Sequence, residues 1–135
     1  MAILNFNGYI VKEMNYTRNP KFKPNKKNRI NLTPTFDVQN NIENNKIIVN
    51  LHVKAGSLDD EFIPFEVSCS IQGTFEYNDE EDVNNIGVDS FVHNNSVAIL
   101  YPYARAIIAT LTTTSNEFPG YNMPTVNIAE VLKNK

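Results

Sequence analysis

One cysteine and two histidines are all that 135 residues offer to soft-metal or thiol chemistry. Cys69 cannot close an intrachain disulfide, and three such groups do not make a zinc site of the usual clustered spacing. No apolar run approaches the length that spans a bilayer, which excludes insertion as a transmembrane helix. The opening Met1-Ala2-Ile3-Leu4-Asn5 has no basic stretch, no long apolar segment and no small-residue cleavage site, so nothing directs export and the cytoplasm is the expected address. There is no glycine-rich phosphate loop, no nucleophile motif and no pair of histidines at catalytic spacing. An enzyme is therefore not expected, and no cofactor or metal is implied. The alternative in that class is a small-molecule or thioesterase-like pocket between sheet and helix, for which folding would have to bring together isolated carboxylates such as Asp37, Glu66 and Asp89.

What is present describes a single domain: 41% hydrophobic residues, 20% charged and a formal charge of -3, in a chain long enough to bury roughly two-thirds of its unfolded surface. The charge is unevenly spread. Residues 1–58 hold nine Lys/Arg against three Asp/Glu, and residues 59–135 hold three against twelve. A nucleic-acid footprint would sit at Arg18 to Arg29, with Lys21, Lys23, Lys26 and Lys27, but Asn19-Pro20-Lys21-Phe22-Lys23-Pro24-Asn25 reads as a turn-rich loop of solvated lysines. No nucleic-acid partner is expected. The acidic run Asp79-Glu80-Glu81-Asp82 lacks the alternating ligands and central glycine of a calcium loop and reads as a solvated turn. The 21 asparagines suit turns, and they make the three glycosylation-like triplets (at Asn15, Asn31 and Asn94) uninformative.

Period-two alternation is the clearest signal. Ile47, Val49, Leu51 and Val53 share one face, leaving His52 on the wet one. Phe65, Val67, Cys69, Ile71, Gly73, Phe75 and Tyr77 share another apolar face, which makes Cys69 a small core hydrophobe. The spacing predicts strands over about 3–16, 34–39, 46–54 and 63–77, joined by hairpins at Asn40–Asn45 and at Gly56-Ser57-Leu58-Asp59-Asp60. The first strand alternates imperfectly, as at an edge or a bulge.

From Ser96 to Thr114 the pattern turns helical, predicting a long helix over about 96–114 and, capped by Asn127, a short one over about 128–133. Leu100, Tyr103, Ile107 and Leu111 make one stripe, and Val97, Tyr101, Ala104 and Ile108 another. Ala98, Pro102, Ala106 and Ala109 form a line of small residues. Pro102 implies either a kink in a helix starting near Asn95 or a regular start at Leu100 or Tyr101. A helix apolar nearly all round cannot be covered by one sheet, so a second surface is required, most simply another subunit's helix. The interface is expected at Ala98, Pro102, Ala106 and Ala109, with Phe65, Val67, Cys69 and Ile71 contributing from the sheet.

The string Ile99-Leu100-Tyr101-Pro102-Tyr103-Ala104-Arg105, followed by Phe118-Pro119 and Met123-Pro124-Thr125-Val126-Asn127-Ile128, resembles the C-terminal signature of the protein-export chaperone family SecB and its SecB-like relatives. The resemblance covers about 40 residues, and the preceding strands agree in order and length. It implies an α+β fold: a four-stranded antiparallel sheet covered on one face by a long C-terminal helix plus a short final one, assembling through sheet edges and helices into a dimer or dimer of dimers. It also implies an ATP-independent holdase that accepts non-native polypeptides in grooves with mobile apolar walls, in the service of protein export. Carried over by position, the groove candidates are Phe22, Tyr101, Tyr103, Phe118, Tyr121 and Met123; the alternative is that Tyr101 and Tyr103 are core and Phe118 pins its loop. The sequence departs from the export chaperone proper in having only Glu66 and Glu76 acidic on the polar face of the 65–77 strand, and in ending soon after the short helix. This weakens the expectation of docking on the export motor and leaves a SecB-like chaperone dedicated to one partner, such as an antitoxin, as the alternative.

Overall fold

Strands with one apolar and one polar face must stack that apolar face on something, and the computed structural model, which describes residues 3–24, 30 and 32–124, shows how. Strands β1 (Leu4–Arg18), β2 (Thr35–Glu43), β3 (Lys46–Gly56) and β4 (Phe65–Tyr77) form one antiparallel sheet in the order β1-β4-β3-β2. The last three are successive hairpins, whereas the chain leaving β1 crosses to the opposite edge to begin β2.

β1 explains its own irregular pattern. Its pairing with β4 shifts between Phe6 and Tyr9 and again between Val11 and Glu13, each shift inserting one extra residue. Counted across these bulges, Leu4, Phe6, Tyr9, Val11, Met14 and Tyr16 all pair with β4 residues of the apolar face. A sequence that fails strict alternation thus keeps one consistent face.

The Asn-rich segment is mostly strand. β2 runs through Asn40 and Asn41 to Glu43, and the turn is confined to Asn44-Asn45, with Asn44 at φ 56°. Ladder hydrogen bonds use only the backbone, so two polar side chains at an edge do not end a strand, and asparagine tolerates the left-handed turn position.

Helical backbone begins earlier than either expected start. A short α1 (Val88–Phe91) leads through a π-helical turn, Val92–Ser96, into α2 (Val97–Thr114). Ser96 is fully buried and returns its hydroxyl to the Val92 carbonyl, continuing the helical run instead of capping it. Pro102 lies within α2 on its exposed side, where the Ala98 carbonyl it leaves without a donor can turn to water. The expected 128–133 helix lies outside the described residues.

α2 lays Val97, Leu100, Tyr101, Ala104, Ile108 and Thr112 on the apolar sheet face. The approach is close at Gly73, where a Cβ would stand 2.7 Å from Leu100 Cδ2, so a glycine admits the helix. Cys69 is fully buried there, and burial pushes its thiol up to about 11, far from a thiolate nucleophile.

The acidic run is only partly solvated. A 3-10 turn, Asp79–Glu81, delivers Asp82 into a buried position where it accepts hydrogen bonds from Tyr77 Oη (2.7 Å) and the amides of Ile86 (3.0 Å) and Gly87 (2.8 Å). These donors hold the Asp82 carboxyl below its ordinary 3.8, and the same bond pushes Tyr77 up to about 12. The tyrosine's contribution to stability is expected in full below pH 10 and lost as pH rises towards about 12. The aspartate's is present above pH 3.8 and lost as pH falls through its lower folded value. A late component of the ultraviolet phenolate titration, smaller by one tyrosine in Tyr77→Phe, checks the first. A stability that falls with acid below pH 3.8 more steeply in wild type than in Asp82→Asn checks the second.

Candidate functional site

Two apolar surfaces remain after the core is built. The first is a groove of about 310 Å³ between the β1 edge and the outer side of α2, lined by Tyr9, Met14, Tyr103, Ala106, Ile107, Thr110 and Leu111. Tyr103, on the helix, stacks on Tyr9 (ring centroids 4.4 Å apart) and reaches Phe6 (5.9 Å), yet stays 38% exposed, and Met14 is 56% exposed. Ala98, Pro102 and Ala106 also face outward, and Ala109 is half-buried. Three of the four small residues are therefore on the open side of the helix.

The sheet half of the expected interface is not. Phe65, Val67, Cys69 and Ile71 are at most 2% exposed, because β4 is an inner strand and the protomer's own α2 covers its apolar face. A sheet contact between subunits would have to use an edge strand instead. β1 carries the features of one, with Tyr9, Ile10, Val11 and Met14 all exposed beside an edge that pairs with no strand of the described sheet.

The second surface lies at the other end of β1, where two loops meet over the sheet. Phe22, at the start of the crossover loop, packs edge-on against Phe118 from the loop after α2 (5.8 Å); Phe118 lies on Phe65 (6.0 Å), and Phe65 on Tyr16 (5.2 Å). The position of Phe22 follows from Asn19, a fully buried side chain. Its Nδ2 donates to the carbonyls of Asp60 (2.9 Å) and Ile63 (2.8 Å), its Oδ1 accepts from the Lys21 amide (3.0 Å), and its own amide donates to Pro64 (2.8 Å). Asn19 thus staples the crossover loop to the β3–β4 connection. The Asn-Pro turn signal was the available clue, but nothing in it told a buried asparagine from a solvated one.

The loop after α2 is held from the helix side. Thr112 bonds back to Ile108 (2.9 Å) and its Oγ1 accepts the Tyr121 amide (2.7 Å), while Tyr101 Oη donates to the Pro124 carbonyl (2.6 Å). From the sheet side, Arg18 Nε donates to both carboxylate oxygens of Glu117 at 2.8 and 3.0 Å, holding that carboxyl below its ordinary value.

Of the expected groove residues, Phe22 and Phe118 meet here; Tyr121 follows on the same loop, where its hydroxyl donates to the Leu32 carbonyl (3.4 Å), and all three are half-buried. Tyr103 belongs to the first groove. Tyr101 is 6% exposed, in contact with Phe36 (5.6 Å), and Met123 has no exposed surface, so both are core in this arrangement and neither lines an open wall. Their apolar bodies fill the space under the loop that the helix end leaves uncovered.

On the polar sheet face His52 Nδ1 lies 2.6 Å from Ser70 Oγ, and Asp37 is the register partner of His52 on β2. His52 and Ser70 lie on the two inner strands, whose amides are committed to the ladder on either side. Glu66 pairs with Lys54 at 3.5 Å. Among the described residues no cluster of three His, Cys, Asp or Glu is placed to hold a metal, and no helix is long and apolar enough to cross a membrane.

Comparison with known proteins agrees with this architecture. The chain is 35% identical over 133 residues to the uncharacterized protein MJ0357 of Methanocaldococcus jannaschii, covering 97% of this chain and 83% of that one. In three dimensions it is similar to the Mycobacterium tuberculosis SecB-like chaperone Rv1957, solved in complex with a ChAD peptide from the HigA1 antitoxin, with a TM-score of 0.72 at 12% identity over 91% of this chain and 90% of that one. The family described as preprotein translocase subunit SecB matches residues 10–135, and the chain belongs to it.

Proposed function

We propose that the protein is an ATP-independent chaperone that holds non-native polypeptides, and that the aromatic pair Phe22 and Phe118, with Tyr121 further along the same loop, is where it does so. The observation that carries this reading is the construction of the cluster in a chain of the SecB family: apolar side chains supplied by two loops over a rigid sheet. Loop-borne aromatics can part and repack around different apolar segments without reading a sequence. Light scattering of a heat-unfolded client without nucleotide tests it. The protein is expected to suppress aggregation, and Phe22→Ala to weaken client affinity about tenfold, the value of part of one buried aromatic side chain. Unchanged affinity in this variant, with the protein folded, would move the site elsewhere.

A chaperone dedicated to one partner is the second reading, and the Mycobacterium tuberculosis neighbour, bound to an antitoxin peptide, favours it. Identifying the proteins recovered with the tagged chain from its own cells separates one partner from many clients. An enzymatic role is disfavoured: a thioesterase-like pocket needs space between sheet and helix, and Leu51, Ile71, Leu100 and Ile108 fill it with no exposure. No cofactor is required, and the proposed setting is the cytoplasm. Docking on an export motor through an acidic sheet surface finds little support, since Glu66 is neutralised by Lys54 and Glu76 lies opposite Lys46.

We also assign the Tyr9, Met14, Tyr103 and Ala106 groove, together with the β1 edge, to contact with further copies of the chain. Exposed apolar side chains beside an unpaired strand edge otherwise invite aggregation.

A further inference from the structure

We propose that Arg18 and Glu117 form a latch that keeps Phe118 seated in a slot between Phe22 and Phe65, and that releasing it opens this slot to an aromatic or large aliphatic side chain of a client. The inference rests on the holdase reading for the identity of the ligand, but not for the latch itself.

Three observations converge on it. Arg18 is the last residue of β1 and Glu117 the residue before Phe118, so the ion pair ties the loop to the sheet next to the ring it positions. The pair joins residues 99 apart in sequence, and both side chains are accessible, at 59% and 37% exposure, so competing charge or salt can reach it. Tyr16, which packs on the same Phe65 that Phe118 lies on, has its Oη buried with no hydrogen-bond partner. The closed arrangement therefore leaves a polar group unsatisfied, which an extended polypeptide carrying its own carbonyls and amides can pair with. Phe118 on this view occupies the slot as a stand-in for a client side chain.

An exposed ion pair biases such a loop without locking it, so neutralising either partner is expected to shift the open population by about two- to fivefold. The experiment compares wild type with Arg18→Gln, Glu117→Gln and the charge swap Arg18→Glu/Glu117→Arg. The readouts are hydrogen exchange at the Tyr121 amide, which the closed loop protects through Thr112, and binding of a reduced, carboxymethylated and permanently unfolded protein. Both single variants should exchange and bind about two- to fivefold faster, high salt should bring wild type to the same level, and the swap should restore the wild-type values. Unchanged exchange in both single variants would overturn the latch. Faster exchange with no binding in any form, wild type included, would uphold the latch and overturn the holdase reading alone.

Discussion

Ala106→Asp is expected to take the assembly apart while leaving the protomer folded. Ala106 lies on the outer side of α2, exposed and at the wall of the groove shared with Tyr9 and Met14. Within one protomer the substitution meets water and costs only the helix-propensity difference, about 0.6 kcal/mol. Pressed against another copy, it would bury a carboxylate with no partner, at a cost of about 3–5 kcal/mol, or roughly a hundred- to several-thousand-fold in the association constant. Sedimentation velocity at micromolar concentration, beside far-ultraviolet circular dichroism, separates the two effects. A dimer or larger species in wild type that becomes monomer in the variant is the expected result. A wild-type monomer, or a variant that assembles as before, would return this groove to the pool of client-binding surfaces.

Asn19→Ala is expected to have the largest effect on stability of any polar substitution, at about 2–4 kcal/mol. The reason is the asymmetry between making and losing a buried hydrogen bond. Two carbonyls, of Asp60 and Ile63, lose their side-chain donor, and the Lys21 amide loses its acceptor, in a place where the removed side chain had no contact with water. Asn19→Asp should fare no better, because a carboxylate presents oxygen to carbonyl oxygen. Urea unfolding would register the loss as a lower midpoint with an unchanged slope. A change below about 0.5 kcal/mol would mean that water replaces the asparagine, as it does at ordinary surface positions. The variant should also loosen Phe22, whose amide is bonded to the Asn19 carbonyl at 3.1 Å, so that weaker client binding accompanies the lower stability.

The strands of the sheet were legible because their signal is local. In β3 and β4 each apolar residue two positions from the next records the same burial, and the structure finds Ile47, Val49, Leu51 and Val53 without exposure. β1 was harder to read because its alternation is interrupted twice, and only the pairing with β4 shows that each interruption is one inserted residue. The α2 pattern revealed that the helix was too apolar for one surface but not which stripe the sheet would take. Val97, Tyr101, Ala104 and Ile108 went inside, and Tyr103, Ile107 and Leu111 were left to the groove.

The site divided along the same line. Phe22 and Phe118 could be nominated from family resemblance and do meet, whereas Tyr121 bonds elsewhere along the same loop, Tyr101 is core as its alternative reading had it, and Met123 is core as well. Resemblance by position transfers residues; it does not transfer exposure, which depends on what a loop lies on. The placement of Phe65, Val67, Cys69 and Ile71 at an intersubunit contact failed for a related reason, because strand order is not written in any one strand.

Periodicity and a short C-terminal signature were enough, by themselves, to determine the antiparallel sheet, the covering helix and the family. The tertiary structure alone decided which residues are neighbours across large separations. It turned Asn19 into a staple and Asp82 into an anchor, brought Arg18 to Glu117, and set Tyr9 against Tyr103. Periodic burial is recorded residue by residue along the chain, whereas a hydrogen bond or ion pair between distant segments depends on how the whole chain closes.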